Sequence, residues 1–212
     1  MPAGADGAGH FQSGGIVMQV FAFLAASAIF VAPSAHAQST VTSGEIITGL
    51  AGSGRAVEAA GVDLELLRRD IAQRITAEGK GTENAASPPP VLQALAALPN
   101  LTLVIEFDFD SDRIRPQSYP AIARIADALH HPVLLGYRFL VAGHTDGKGS
   151  RDYNFELSQR RANAVVEALV TTFRIEPDRL GALGLGEEQL RNPGDPDGAI
   201  NRRVQILNLG PL

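Results

Sequence analysis

The stretch Leu101-Thr102-Leu103-Val104-Ile105-Glu106-Phe107-Asp108-Phe109 decides the fold class. Leu101, Leu103, Ile105, Phe107 and Phe109 alternate with Thr102, Val104, Glu106 and Asp108, the period of two expected of a strand with one buried face. Downstream the period changes. Pro116 and Pro120 open a helix in which Ile122, Ile125, Ala126 and Leu129 make an apolar stripe, and Pro132 closes it. A second strand is predicted over residues 137–143 and a long amphipathic helix over residues 154–173. Two further strands follow over residues 180–185 and 202–209. This order predicts an α+β fold, a two-layer α/β sandwich with helices packed on one mixed β-sheet, occupying residues 99–212.

Working back toward the N-terminus, residues 79–98 begin GKGTENAASPPP, turn-forming and then proline-stiffened, and read as a linker. Residues 38–78 read as a short helical region. Its convincing helix spans residues 62–77, with Leu64, Leu67, Ile71 and Ile75 at helical spacing, and residues 43–50 are a shorter candidate. Residues 1–37 read as a signal peptide: an apolar run over 16–32, then Pro33-Ser34 and the small-residue pattern Ala35-His36-Ala37 ahead of Gln38. No Lys or Arg precedes Arg55, so the usual basic flank is missing. Met18 is an alternative start, and retention of the run as an anchor is the alternative fate. Either fate predicts a periplasmic remainder.

Composition removes several function classes. With 212 residues, 45% hydrophobic, the chain can build one core of ordinary size plus appendages. A formal charge of −5 gives no long-range attraction for nucleic acid. The absence of cysteine excludes disulfides, thiolate zinc sites, a cysteine nucleophile and a lipid-modified cysteine.

The candidate chemistry sits between the second strand and the long helix, in Gly143-His144-Thr145-Asp146-Gly147-Lys148-Gly149-Ser150, followed by Tyr153-Asn154. Glycines let this backbone turn tightly, and the helix N-terminus behind it favours a ligand carboxylate. On that helix Ala162, Val165, Leu169 and Phe173 define the buried face, which turns Arg160 to solvent and leaves Arg161 at the apolar margin, nearly in line with Asn154. A guanidinium held there needs a carboxylate, from the protein or from a ligand. In the last strand Arg202 shares a side with Val204 and Ile206. Arg203 shares the other with Gln205, Leu207 and Leu209, so both faces of that strand are candidates for cover.

Plainer readings stand beside these. Asp146 and Arg161 could be a structural ion pair. His144 with Asp146 has metal-site form but no third ligand at suitable spacing, so no metal is expected, and the histidine reads as satisfying a backbone group. Glu187 and Glu188 with Asp108 and Asp110 could be cast as the acid and base of a wall hydrolase, though acidic residues are common at turns. The glycines of residues 181–186 read as close packing.

Taken together, IEFDFDSDRI (105–114), GHTD (143–146), Tyr153-Asn154, LSQRRA (157–162), GLGE (184–187) and NRRV (201–204) resemble, in order and spacing, the OmpA-like peptidoglycan-binding domain. The resemblance covers residues 101–209. It implies that Asp146 and Arg161 hold the diaminopimelate of the peptidoglycan stem, helped by Asp110, Thr145, Asn154 and Arg202. A carboxylate for the ligand ammonium and a guanidinium for its carboxylate would reject ligands lacking either charge. It also implies a non-enzymatic binding protein without cofactor, associated with the wall and the outer membrane of a Gram-negative-type envelope and serving its integrity. Residues 38–90 are then a spacer or a contact for another envelope protein, with weak dimerisation a further expectation. The alternatives are a stator-like tether of a membrane machine and, behind it, the hydrolase.

Overall fold

A computed structural model of the chain describes residues 41–52, 63–78 and 90–212. The elements run α1 (Ser43–Ala51), α2 (Leu64–Glu78), α3 (Pro90–Ala96), β1 (Asn100–Leu103), α4 (Tyr119–Leu129), β2 (Tyr137–His144), α5 (Arg151–Thr171), β3 (Leu180–Gly184) and β4 (Arg203–Pro211). The apolar run over 16–32, the cleavage pattern before Gln38 and residues 79–89 of the expected linker lie outside the described residues. Among the described residues no helix is long and apolar enough to cross a membrane.

The strands form one mixed sheet in the order β1-β4-β2-β3. β4 is antiparallel to both neighbours, while β2 and β3 are parallel and joined through α5. Alternation along these strands divides the interior. Leu103, Phe139, Val141, Val204 and Ile206 face a core closed by Ile46 and Leu50 of α1, Ile122, Ile125 and Leu129 of α4, and Ala162, Val165 and Leu169 of α5. This is the helix layer on a mixed sheet that the order of periodicities predicts.

The opposite face is covered as well. Leu140, Ala142, Leu183, Leu207 and Leu209 pack with Leu67 and Ile71 of α2 and Leu92 and Leu95 of α3. Residues 90–98 are therefore not linker. Pro90 sits at the first position of α3, where its missing N–H costs nothing, and Leu92, Leu95 and Leu98 are buried at helical spacing. Ile46 and Leu50 of α1 are fully buried in the first core, so this part of the N-terminal region belongs to the packing of the domain.

The first strand ends earlier than its alternation predicts. Leu103 pairs with Val204, and β4 begins one step further on at Arg203, so it has no residue to set opposite Ile105 and those after it. The chain pairs with itself instead: Asp108 N–H donates to the Arg113 carbonyl at 3.0 Å and Arg115 N–H to the Glu106 carbonyl at 2.9 Å, around a Phe107–Ile114 bridge. Asp110 turns this hairpin with φ 53°. Ile105 keeps its buried side, but Phe109 lies at the tip and is 96% exposed, not part of the core face.

Candidate functional site

Close packing of α5 on the strand ends sets the loop over residues 145–150. A Cβ on Gly143 would lie 2.4 Å from the Ser158 carbonyl oxygen, and one on Gly184 would lie 2.4 Å from the Gln159 amide nitrogen. Any side chain there would push the helix away. The helix in turn ties the strand ends: Gln159 Oε1 accepts from Gly184 N–H and Ser158 Oγ from Gly186 N–H, both at 2.8 Å. Ser150 caps α5 by accepting from Tyr153 N–H at 3.2 Å. Thr145 N–H donates to the Gly186 carbonyl and Gly147 N–H to the Pro196 carbonyl, each at 2.9 Å.

Asp110, Thr145, Asp146, Asn154, Arg161 and Arg202 all line one groove of about 860 Å³. Val104, Phe107, Phe109 and Tyr153 supply its apolar wall, with Val104 71% and Phe109 96% exposed. The margin position read for Arg161 is what the helix presents: the residue is half-buried, while Arg160 is exposed. Arg161 Nε donates to the Ser111 carbonyl at 3.0 Å, and the guanidinium carbon lies 5.0 Å from the centroid of the Phe107 ring. Among the described residues no protein acceptor engages its Nη groups. Burial and then Arg202 hold its pKa below the ordinary guanidinium value, with Arg160 adding to this and Asp146 and Asp110 opposing it. The group remains charged, in surroundings that an incoming carboxylate would improve.

Asp146 forms its ion pair with Arg202, not with Arg161, so the plain structural pair is not the one present. Asn154 is committed to the loop: its Nδ2 donates to the Asp146 and Lys148 carbonyls at 3.3 and 3.0 Å and to Glu187 Oε2 at 2.5 Å. Thr145 is 2% exposed, and among the described residues its hydroxyl has no hydrogen-bond partner. Asn201 anchors the approach to Arg202, donating to the Asp195 and Pro196 carbonyls at 2.8 and 2.9 Å and accepting from Asn192 N–H at 2.9 Å.

His144 points to the second face of the sheet, opposite Arg203 in the ladder. It is 2% exposed, and among the described residues neither ring nitrogen has a hydrogen-bond partner, contrary to the expectation that it satisfies a backbone group. The backbone near it is already paired within the sheet. Burial, then Arg203, push its pKa down to about 3, with Gln205 acting in the opposite direction. Among the described residues no group of three or more metal-ligating side chains could hold a metal ion. Glu188 is bound by Arg151 at 2.7 Å and Glu187 by Asn154, and neither lines the groove that contains Asp108 and Asp110. The four acids are therefore not gathered as an acid/base set.

Phe107, Ser111 and Asn201 were not legible as site residues. Phe107 reads as core from its alternation, Ser111 acts through a backbone carbonyl that the fold brings to α5, and Asn201 acts by closing its own local loop.

The model of the OmpA family matches residues 106–203, which hold the loop, the Arg161 helix and Arg202. Residues 106–203 form an OmpA family domain. This chain is 38% identical over 115 residues to outer membrane porin F of Pseudomonas aeruginosa, covering 53% of this chain and 32% of that protein. It is 34% identical over 104 residues to the peptidoglycan-associated lipoprotein of Legionella pneumophila, covering 48% of this chain and 57% of that protein. The solved peptidoglycan-associated lipoprotein of Burkholderia pseudomallei aligns with TM-score 0.42 and 28% identity over 59% of this chain and 99% of that one. The chain thus spans about a third of the porin and little over half of the Legionella lipoprotein. What is shared is the OmpA domain.

Proposed function

We propose that the OmpA domain of this protein holds peptidoglycan non-covalently, gripping the zwitterionic free end of diaminopimelate in the peptide stem and doing no chemistry on it. The observation that carries this is Arg161: its Nε is bonded and its guanidinium lies over the Phe107 ring, while among the described residues its Nη fork has no partner in the groove. A fork of that kind binds a carboxylate through two parallel charge-assisted bonds. Asp110, which has no ion-pair partner among the described residues, and the side of Asp146 away from Arg202 supply the matching anions for the ammonium. Thr145 lines the same groove through its backbone turn, its hydroxyl being buried behind it. The name of the Legionella relative points to the same polymer.

On this reading the domain works in the periplasm of a Gram-negative-type envelope, beside the wall and outer membrane. Residues 38–90 contribute α1 and α2 to the domain's own packing, so contact with another envelope protein falls to their exposed side chains, Leu66 among them at 59% exposure.

Sedimentation with purified peptidoglycan tests the proposal. The wild-type chain should pellet with the wall, and Asp146→Ala combined with Arg161→Ala should remain in the supernatant while keeping its melting transition. Equal sedimentation of the two would mean the site is misassigned. Release of soluble muropeptides by the purified protein would overturn the non-enzymatic reading.

A further inference from the structure

The ionisable residues of the groove balance in number, four acids against four bases, but not in pairing. Its acids are Glu106, Asp108, Asp110 and Asp146, and its bases Arg115, Lys148, Arg161 and Arg202. Arg115 is paired with Asp108 at 3.2 Å and with Glu106 at 3.8 Å, and Arg202 is paired with Asp146. Among the described residues this leaves Asp110 without a cation, and Arg161 and Lys148 without a carboxylate. An ammonium for the acid and one carboxylate for Arg161 complete the zwitterion of the proposed ligand. Lys148 remains.

Lys148 is held at that position by its backbone. Its N–H donates to Asp146 Oδ1 at 3.4 Å and its carbonyl accepts from Asn154 Nδ2 at 3.0 Å, so its stem leaves the loop beside the proposed site with the ammonium exposed and, among the described residues, unpartnered. We propose that Lys148 reads a second carboxylate of the stem, the free α-carboxylate of the glutamate residue that precedes diaminopimelate. The inference rests on the wall-binding reading. It makes the site selective for stems in which that glutamate is not amidated, because amidation replaces the carboxylate by a neutral group and leaves Lys148 unmatched.

The test is a calorimetric titration of the full chain and its Lys148→Ala variant with two soluble diaminopimelate stem peptides, one with glutamate free and one with it amidated. The substitution retains both backbone bonds of residue 148. An exposed charge pair of this kind is worth about a two- to five-fold preference. The wild type should show that preference for the free acid and lose it as salt is raised, and the variant should show a ratio near one. Equal affinity of the wild type for both peptides would overturn the inference, as would a preference that survives in Lys148→Ala. Binding of neither peptide by the wild type would overturn the wall-binding reading itself and this inference with it. Binding of both without preference would overturn the inference alone.

Discussion

The guanidinium of Arg161 lies over the ring of Phe107, 5.0 Å from its centroid, and its Nε is fixed by the Ser111 carbonyl at 3.0 Å. Those two contacts orient a cation that would otherwise sample many rotamers, and they come from the self-paired hairpin that follows β1. The early end of the strand is therefore part of the site. Had the ladder continued, Ser111 would not reach α5.

Because the contacts depend on a planar fork, Arg161→Lys should lose most wall affinity although the charge is kept. Charge-assisted hydrogen bonds contribute about 1.5–3 kcal/mol, so a drop of roughly ten-fold or more is expected in a sedimentation isotherm. Phe107→Leu should weaken binding less, by a few-fold, through the lost ring contact. Wild-type affinity in Arg161→Lys would show that the fork is not used.

Gly143→Ala should destabilise the domain. The added methyl meets the Ser158 carbonyl oxygen at 2.4 Å, a backbone atom of a helix pinned at Gly184 and Gly186. Overpacking of this type costs about 1–3 kcal/mol, visible as a lowered denaturant midpoint. An unchanged midpoint would mean that α5 can slide without penalty.

His144 predicts an acid-sensitive domain. Its folded-state pKa of about 3 lies below the ordinary 6.5. The unfolded chain takes up the proton first, so the folded state keeps its full stability above about 6.5 and loses it as pH falls toward about 3. The slope from one such group is about 1 kcal/mol per pH unit. Denaturation at neutral pH and near pH 5 should show the loss in the wild type and a shallower one in His144→Phe, which removes the titrating ring. The same slope in both proteins would assign the sensitivity to other groups.

Periodicity made the elements legible, and it placed Arg161 and Arg160 correctly on opposite sides of the α5 margin. It failed where burial is decided by what arrives from elsewhere. Phe109 alternates with the core residues yet sits at a hairpin tip, since strand length depends on how far the partner strand runs. The leucines of α3 were hidden behind a proline-rich approach that reads as linker, although Leu207 and Leu209 on the far side of β4 implied a covering layer. Arg179 gave no signal at all. It is 2% exposed, with Nη2 donating to the Leu129 and Leu134 carbonyls at 3.0 and 2.8 Å and Nε to the Tyr137 carbonyl at 3.2 Å, knitting the end of α4 to the start of β2. Nothing in spacing distinguishes it from a surface arginine. Loop and helix are contiguous in sequence, so Asp146, Asn154 and Arg161 could be read together; Asp110 and Arg202 entered only through the family resemblance, and the Asp146–Arg202 pair joins positions that only the sheet brings together.

The central claim is that the groove recognises a zwitterion, and calorimetric titration with paired stem peptides tests it most directly. One peptide carries diaminopimelate; the other carries lysine there, which keeps the ammonium and lacks the carboxylate. The account predicts saturable binding of the first and a loss of at least ten-fold for the second, since Arg161 would be left unpaired. Equal affinity for the two peptides would contradict it.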